Sequence, residues 1–161
     1  MHAPIFHLKK LLKSIYSHKK EIFLFCDLHG HSKMLNSFIY ACNRASTGLD
    51  LASWTKIRLL PRIMSKYSKF FSYNDCQFKV EAEKKDTGRI SLWKEFGIMN
   101  SFTLETSMFG YSEGEEIVRF KDADVLSIGE TMVRAICEYS RIIRDMGKEI
   151  MLSKAYNFLY D

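Results

Sequence analysis

Two histidines one residue apart, His29 and His31, are the residue pair in this chain best suited by type and spacing to chemistry. In extended backbone, residues i and i+2 point the same way, so both imidazoles could reach one divalent cation. Asp27 stands two residues earlier, where a carboxylate can hold a ligating imidazole from behind, and Ser32 follows directly. The plain alternative is that one histidine bonds the backbone and the other faces water. A catalytic zinc site takes three protein ligands. The chain has five histidines, and the other three (His2, His7 and His18) all precede the pair.

One further string has ligand-like spacing, His18-Lys19-Lys20-Glu21. Along an extended run, Glu21 and His29 would lie on the order of 25 Å apart at roughly 3.3 Å per residue. Metal–ligand bonds are about 2 Å long, so this string and the pair cannot share an ion. The four cysteines, Cys26, Cys42, Cys76 and Cys137, include no CxxC spacing and read as buried, reduced thiols.

The elements that must position these residues follow from periodicity. Ile22 to Cys26 is a short apolar run ending in Asp27-Leu28-His29-Gly30-His31-Ser32, and reads as a buried strand followed by a turn. Ser37 to Ala41 is a second, doubtful strand, and Asn43 to Leu51 is loop-like. Cys76 to Val80 is another doubtful strand, after a turn at Tyr73-Asn74-Asp75. Asn100 to Thr106 alternates, with Phe102 and Leu104 on one face and Ser101, Thr103 and Glu105 on the other. By pattern alone Glu105 is a rim charge at a strand end.

Helical spacing is found from Ile5 to Tyr16, and from Trp54 to Lys66, where Pro61 is expected to kink or break the helix. Thr87 is placed to cap a helix through Phe96 that Gly97 ends. The longest stripe runs from Val125 to Met146, with Asp122 or Asp124 at its start, Gly147 at its end and a weaker helical tail to Asp161. Glu81 to Asp86 reads as a charged loop and Gly110 to Glu116 as a flexible acidic one. The whole is an α/β pattern, a mixed sheet flanked by helices with a long C-terminal helix, and with little sheet for so much helix.

At 161 residues the chain is expected to form one domain, with ordinary apolar (47%) and charged (27%) content. No apolar run is long enough to span a bilayer, and no signal peptide opens the chain. The net charge of +5 and the patches Lys9-Lys10, Lys19-Lys20 and Lys84-Lys85 suit an acidic partner. Nucleic acid is not expected from charge alone.

Two family resemblances bear on the pair. Asp27-Leu28-His29-Gly30-His31-Ser32 resembles the opening motif of polymerase-and-histidinol-phosphatase metal phosphoesterases, but those sites need further histidines downstream, where this chain has none. FCDLHGHSKMLNSFIYA, RLLPRIMSKYSKFFSYNDCQFKV and TGRISLWKEFGIMNSFTLETSMFG closely resemble the cytosolic carboxypeptidases. The opening HAPIFHLKKLLK and the tail from Asp124 to Tyr139 are also similar, so the resemblance covers nearly the whole chain in order.

That resemblance implies a zinc metallocarboxypeptidase, a cytoplasmic hydrolase that removes C-terminal or side-chain-linked glutamates from tubulin and other acidic protein tails. It implies zinc as cofactor with His29 as a metal ligand, Glu105 as the catalytic general base, and Asp27, His31 and Ser32 as supporting residues. It places Arg89 near the pocket for an acidic side chain, against the alternative of a surface arginine at a helix start. It also implies that residues 1–161 are the C-terminal part of one catalytic domain. The family's upstream His-x-x-Glu ligands and its Asn-Arg motif have no counterpart in this chain, which is expected to be inactive alone. Two other expectations stand beside this one: a non-catalytic remnant that binds acidic tails through a basic surface, and a chain that does not fold alone because half a sheet leaves an open edge.

Overall fold

The structure is a computed structural model that describes residues 3–43, 51–81 and 84–145. The expected loop at 44–50, residues 82–83 of the charged loop, the end of the last helix at Met146 and Gly147, and the tail to Asp161 lie outside the described residues. In chain order the elements are α1 (Ala3–Ser17), β1 (Phe25–His31), β2 (Ser37–Asn43), α2 (Leu51–Tyr67) and β3 (Gln77–Lys79), then α3 (Gly88–Phe96), β4 (Ser101–Ser107), β5 (Tyr111–Glu113), β6 (Glu116–Val118) and α4 (Asp122–Asp145). This is the expected α/β class, with a mixed four-stranded sheet in the order β1-β4-β2-β3. β1 runs parallel to β4, β2 antiparallel to β4, and β3 parallel to β2.

The sheet separates two apolar layers. On one face Ile39, Ala41, Phe102 and Leu104 pack against Leu59, Leu60, Ile63 and Met64 of α2 and against Ile128, Met132, Ala135 and Tyr139 of α4. A smaller cluster on the other face joins Leu12 of α1 to Leu92 of α3 and to Ile98, with Ile22, Phe25 and Phe96 at its margin. β2 is buried along its first six residues because it lies inside the sheet with cover on both faces. That explains its unbroken apolar run, since the period-2 signal disappears when both faces are covered.

Three expectations are corrected. The strand is not Ile22 to Cys26 with a turn after it: β1 begins at Phe25 and carries the HGH sequence itself, paired residue by residue with β4. Ile22 instead packs in the smaller cluster, and the chain turns only at residues 32–36, where Asn36 adopts a left-handed φ of 62°. α2 runs unbroken through Pro61, which is buried, so only the Ile57 carbonyl loses a helical partner. The segment 110–116 is not a plain loop: β5 and β6 form a two-stranded hairpin turning at Gly114 (φ 66°). Gly110 before it lies so close to the chain that a Cβ would sit 2.0 Å from the Val118 carbonyl oxygen, so only glycine fits.

Of the cysteines, Cys42 is buried, Cys26 and Cys76 are half-buried, and Cys137 is exposed rather than buried; all four are free thiols. Burial pushes the Cys26 thiol up to about 11 and the Cys76 thiol to about 12, which makes both unreactive at neutral pH. Thr87 occupies the N-cap position of α3 without a side-chain cap bond, and Gly97 closes that helix in the left-handed conformation. At the start of α4, the Asp124 carboxylate accepts a hydrogen bond from the Lys121 N–H (2.9 Å), as in a capping box.

One buried polar chain ties α4, in the larger layer, to the sheet. The Tyr139 hydroxyl donates to Asn100 Oδ1 (2.6 Å), and Asn100 Nδ2 donates to the Phe23 carbonyl (2.8 Å). The contacts join α4 to the start of β4 and to the segment entering β1. Tyr139→Phe leaves Asn100 Oδ1 without this partner, and is expected to lower unfolding free energy by about 1–3 kcal/mol in urea titration.

Candidate active site

The β1–β4 register brings the candidate residues together. His29 pairs with Glu105, Asp27 with Thr103 and His31 with Ser107. Paired residues of adjacent strands share a face, so Asp27, His29 and His31 stand beside Thr103, Glu105 and Ser107. On the other side of β4, Phe38 pairs with Glu105 and Tyr40 with Thr103, extending the same face. α3 and the apolar cluster cover the lower half of that face. The upper half opens into a cleft of about 560 Å³, whose walls include Asp27, His29, Lys84, Arg89 and Glu105. The cleft lies beyond the carboxyl ends of two parallel strands, the usual position for a ligand site in an α/β sheet.

Glu105 sits in the wall between the strands, 6% exposed, and its Oε2 has no hydrogen-bond partner. Burial raises its pKa above the usual carboxylate range, against the opposing pull of the His29 and His31 imidazoles and Lys84. The result is a carboxylate that is more basic than an exposed one and has a free oxygen. His29 is well exposed at the cleft rim, with its Nδ1 4.0 Å from Asp27 Oδ2. That separation is too long for a hydrogen bond but places negative charge behind the ring, and it leaves Nε2 clear.

His31 is engaged differently. Its Nδ1 accepts the backbone N–H groups of Lys33 (3.2 Å) and Met34 (3.1 Å), and its ring meets Phe38 edge-on at 5.1 Å. A nitrogen that accepts two N–H bonds carries no proton, so the neutral ring keeps its proton on Nε2 and neither nitrogen offers a lone pair to a metal; the ring holds the turn after β1. Ser32 is exposed on the same turn and lines the cleft.

Arg89 is not a surface residue. It is 3% exposed and lies on the cleft floor, donating to the Ala41 carbonyl (2.5 Å) and to Cys42 Sγ (3.2 Å), while its Nε is buried without a partner. Sequence reasoning missed Lys84 and Tyr40: Lys84 Nζ stands 4.1 Å from the Tyr40 ring centroid and 2.9 Å from Glu81 Oε2. Lys84 read as part of a charged loop and of a basic patch suited to an acidic partner, not as a residue of this cleft. Tyr40 shares its face with Phe38, a placement that the unbroken apolar run of β2 conceals.

Among the described residues no group of three or more His, Cys, Asp or Glu side chains could hold a metal ion. With His31 committed to the turn, the cleft offers one imidazole and the Asp27 carboxylate behind it. These residues do not by themselves fit a catalytic zinc, which takes three protein ligands. Other His-x-x-Glu spacing gives no help: His18 Nδ1 donates to the Ser14 carbonyl (2.6 Å) at the end of α1.

Comparison with known proteins gives the context of this cleft. No family model matches the chain. Cytosolic carboxypeptidase 2 of Xenopus tropicalis is 35% identical over 137 residues, 84% of this chain and 14% of the relative. Cytosolic carboxypeptidase 3 of Mus musculus is 37% identical over 123 residues, and cytosolic carboxypeptidase 1 of Homo sapiens 34% over 124. Those matches cover 75% and 71% of this chain, and 12% and 10% of the relatives. The chain therefore spans only a small part of the length of the relatives it matches. Among solved structures, a metallo-carboxypeptidase from Burkholderia cenocepacia superposes with a TM-score of 0.62 at 16% identity, over 81% of this chain and 33% of that one. The sheet order and these matches lead to one conclusion: over most of its length the chain is homologous to the cytosolic carboxypeptidases, and it corresponds to part of a metallocarboxypeptidase fold.

Proposed function

We propose that this chain supplies the general-base side of a metallocarboxypeptidase active site that removes glutamates from acidic protein tails, glutamylated tubulin among them. The observation that carries the reading is Glu105: a buried carboxylate with a free oxygen and raised basicity, beside His29 on the next strand. A carboxylate of raised basicity takes a proton from an attacking water and can return it to the leaving amine. Arg89 and Lys84 add positive charge to the same cleft, and Arg89 keeps an unpartnered buried Nε, which suits an incoming carboxylate. His29 is the residue of this chain that would hold zinc, whose chemistry is to activate water and polarise a carbonyl.

With one imidazole for an ion that takes three ligands, the chain alone is expected to bind zinc weakly and to hydrolyse little. In this reading the cytoplasm is its place, by the company of its relatives, and no described helix is long and apolar enough to cross a membrane. The cationic cleft favours one second reading, a non-catalytic protein that holds acidic tails. In that case peptide binding falls with salt and ignores chelator.

Two measurements test the reading. Purified chain supplied with zinc is expected to retain less than one equivalent, less still in His29→Ala, and to bind a glutamate-terminated peptide about tenfold more tightly than an alanine-terminated one. Glutamate release is expected to stay at the level of the Glu105→Gln control. Stoichiometric zinc with release that Glu105→Gln abolishes would show a complete site, and release that Glu105→Gln leaves unchanged would remove Glu105 as the base.

The second is a pH series of melting temperatures. Because folding raises the Glu105 pKa, the folded state binds the proton more tightly than the unfolded one, and stability is lost as pH rises from the ordinary carboxylate range through the raised value. Glu105→Gln removes that loss. It is expected to melt above the parent chain at about pH 7, with the gap closing toward about pH 4.

A further inference from the structure

The two flanks of α2 differ. The helix carries Lys56, Arg58, Arg62 and Lys66 and no acidic residue. Toward α4 its polar groups meet partners of both signs: the Tyr67 hydroxyl donates to the Glu138 carboxylate, and the Arg134 guanidinium lies 4.1 Å from the Tyr67 ring centroid. Toward β3 the flank is cationic and aromatic. Trp54, Arg58, Arg62 and Lys66 recur at every fourth residue, which lines them up as one ridge. Among the described residues no ion pair reaches Arg62.

Both arginines are held in place. The Arg58 guanidinium stands 4.2 Å from the Trp54 ring centroid and 4.3 Å from that of Phe78, so it meets one ring from its own helix and another from β3. Its Nη1 also donates to the Trp54 carbonyl (3.2 Å). Arg62 is half-buried, 5.4 Å from the Tyr73 ring centroid, and its Nε is buried without a hydrogen-bond partner. Burial raises the Tyr73 phenol pKa and the charges of Arg58 and Arg62 both pull it back, so the two cations act on one spot. A guanidinium set against rings keeps its N–H edge for a partner, and that edge grips a carboxylate. Its rotamer freedom is already spent, so less is lost on binding.

Spacing and charge indicate what the ridge fits. Residues four apart on a helix are about 6 Å apart along its axis. Residues on one side of an extended chain repeat at about 6.7 Å. Carboxylates at alternate positions of an extended segment therefore meet successive cations of the ridge. A phosphate backbone offers the same sign of charge, but its bases need ring faces to stack on. Here Arg58 itself lies against Trp54 and Phe78.

We propose that the α2 ridge, with Tyr73 and Phe78 beside it, docks an extended acidic polypeptide segment, Arg58 and Arg62 each gripping one of its side-chain carboxylates. α2 packs on the sheet face that carries Ile39, Ala41 and Phe102, and the cleft opens on the other face. The ridge is therefore a separate site, and the inference does not rest on the reading of Glu105.

The probe is a fluorescent peptide of alternating glutamate and serine, amidated so that it lacks the terminal carboxylate the cleft would take. By anisotropy it is expected to bind the full chain, more weakly as salt rises, while a glutamine–serine peptide does not bind. Arg58→Gln and Arg62→Gln are each expected to weaken binding at least about tenfold. Arg62→Lys keeps the charge but not the Nε–H, and is expected to weaken binding about threefold; it serves as the test if a glutamine variant fails to melt cooperatively. Lys10→Gln and Lys13→Gln remove the same charge from exposed positions of α1, and are expected to leave binding unchanged. In nitrogen–proton spectra the Arg62 Nε–H signal is expected to shift as peptide is added. Four results overturn the inference: no binding; binding that the ridge variants keep and Lys84→Gln loses, which places the peptide in the cleft; equal losses from the α1 variants, which reduce the effect to net charge; or a thymidine oligonucleotide that binds more tightly than the peptide through the same arginines, which assigns the ridge to nucleic acid.

Discussion

The candidate site of this protein depends on the parallel pairing of β1 with β4, in which His29 lies opposite Glu105. Side chains alternate along a strand, so a slip of one residue would turn Asp27, His29 and His31 to the apolar face and put Leu28 and Cys26 into the cleft. Several independent contacts hold the register. Asn100 bonds the entry to β1 through Phe23, Met108 bonds its exit at His31, and Phe102 and Leu104 are anchored in the larger core. A histidine and a carboxylate from distant parts of the chain become neighbours only because those apolar residues have one favourable way to be buried.

The same packing makes Glu105 costly. An unpartnered polar atom in a buried position costs about 1–3 kcal/mol, and Glu105 Oε2 and Arg89 Nε both occupy such positions in one cleft. A core selected for stability alone would replace both with apolar groups. Uncompensated buried polar atoms at the carboxyl ends of strands are the pattern of a site that waits for a ligand, with the ligand completing the bonds. Outside the cleft Tyr139, Asn100, Ser37 and Ser101 all have partners, while Asn43 Oδ1 and Arg62 Nε are also buried without one.

The parts legible in the sequence were those with long, one-sided periodicity. The stripe Ile128, Met132, Ala135 and Tyr139 identified α4, and Phe102 and Leu104 identified β4, because each has one face in the core. β1 was misplaced because Ile22 to Cys26 looks like a strand and HGH looks like a turn. Only pairing with β4, a partner far along the chain, makes HGH extended. The β5–β6 hairpin escaped notice because three-residue strands are too short to show a period. Arg89 could not be seen as buried, since its burial comes from α3 lying across β2, and no local pattern encodes that. The candidate site residues His29 and Glu105 were visible as types, and their adjacency was not.

That adjacency also sets when the site can form. Between β1 and β4 the chain makes β2, α2, β3 and α3, so the pairing closes a loop that contains four elements of the fold. Closing so long a loop is slow relative to forming the local helices, and its entropic cost is met only once the intervening elements have packed. The two halves of the cleft should therefore be among the last parts of the protein to meet during folding. A substitution that slows the docking of α2 or α3 would delay the appearance of the site without touching any residue in it.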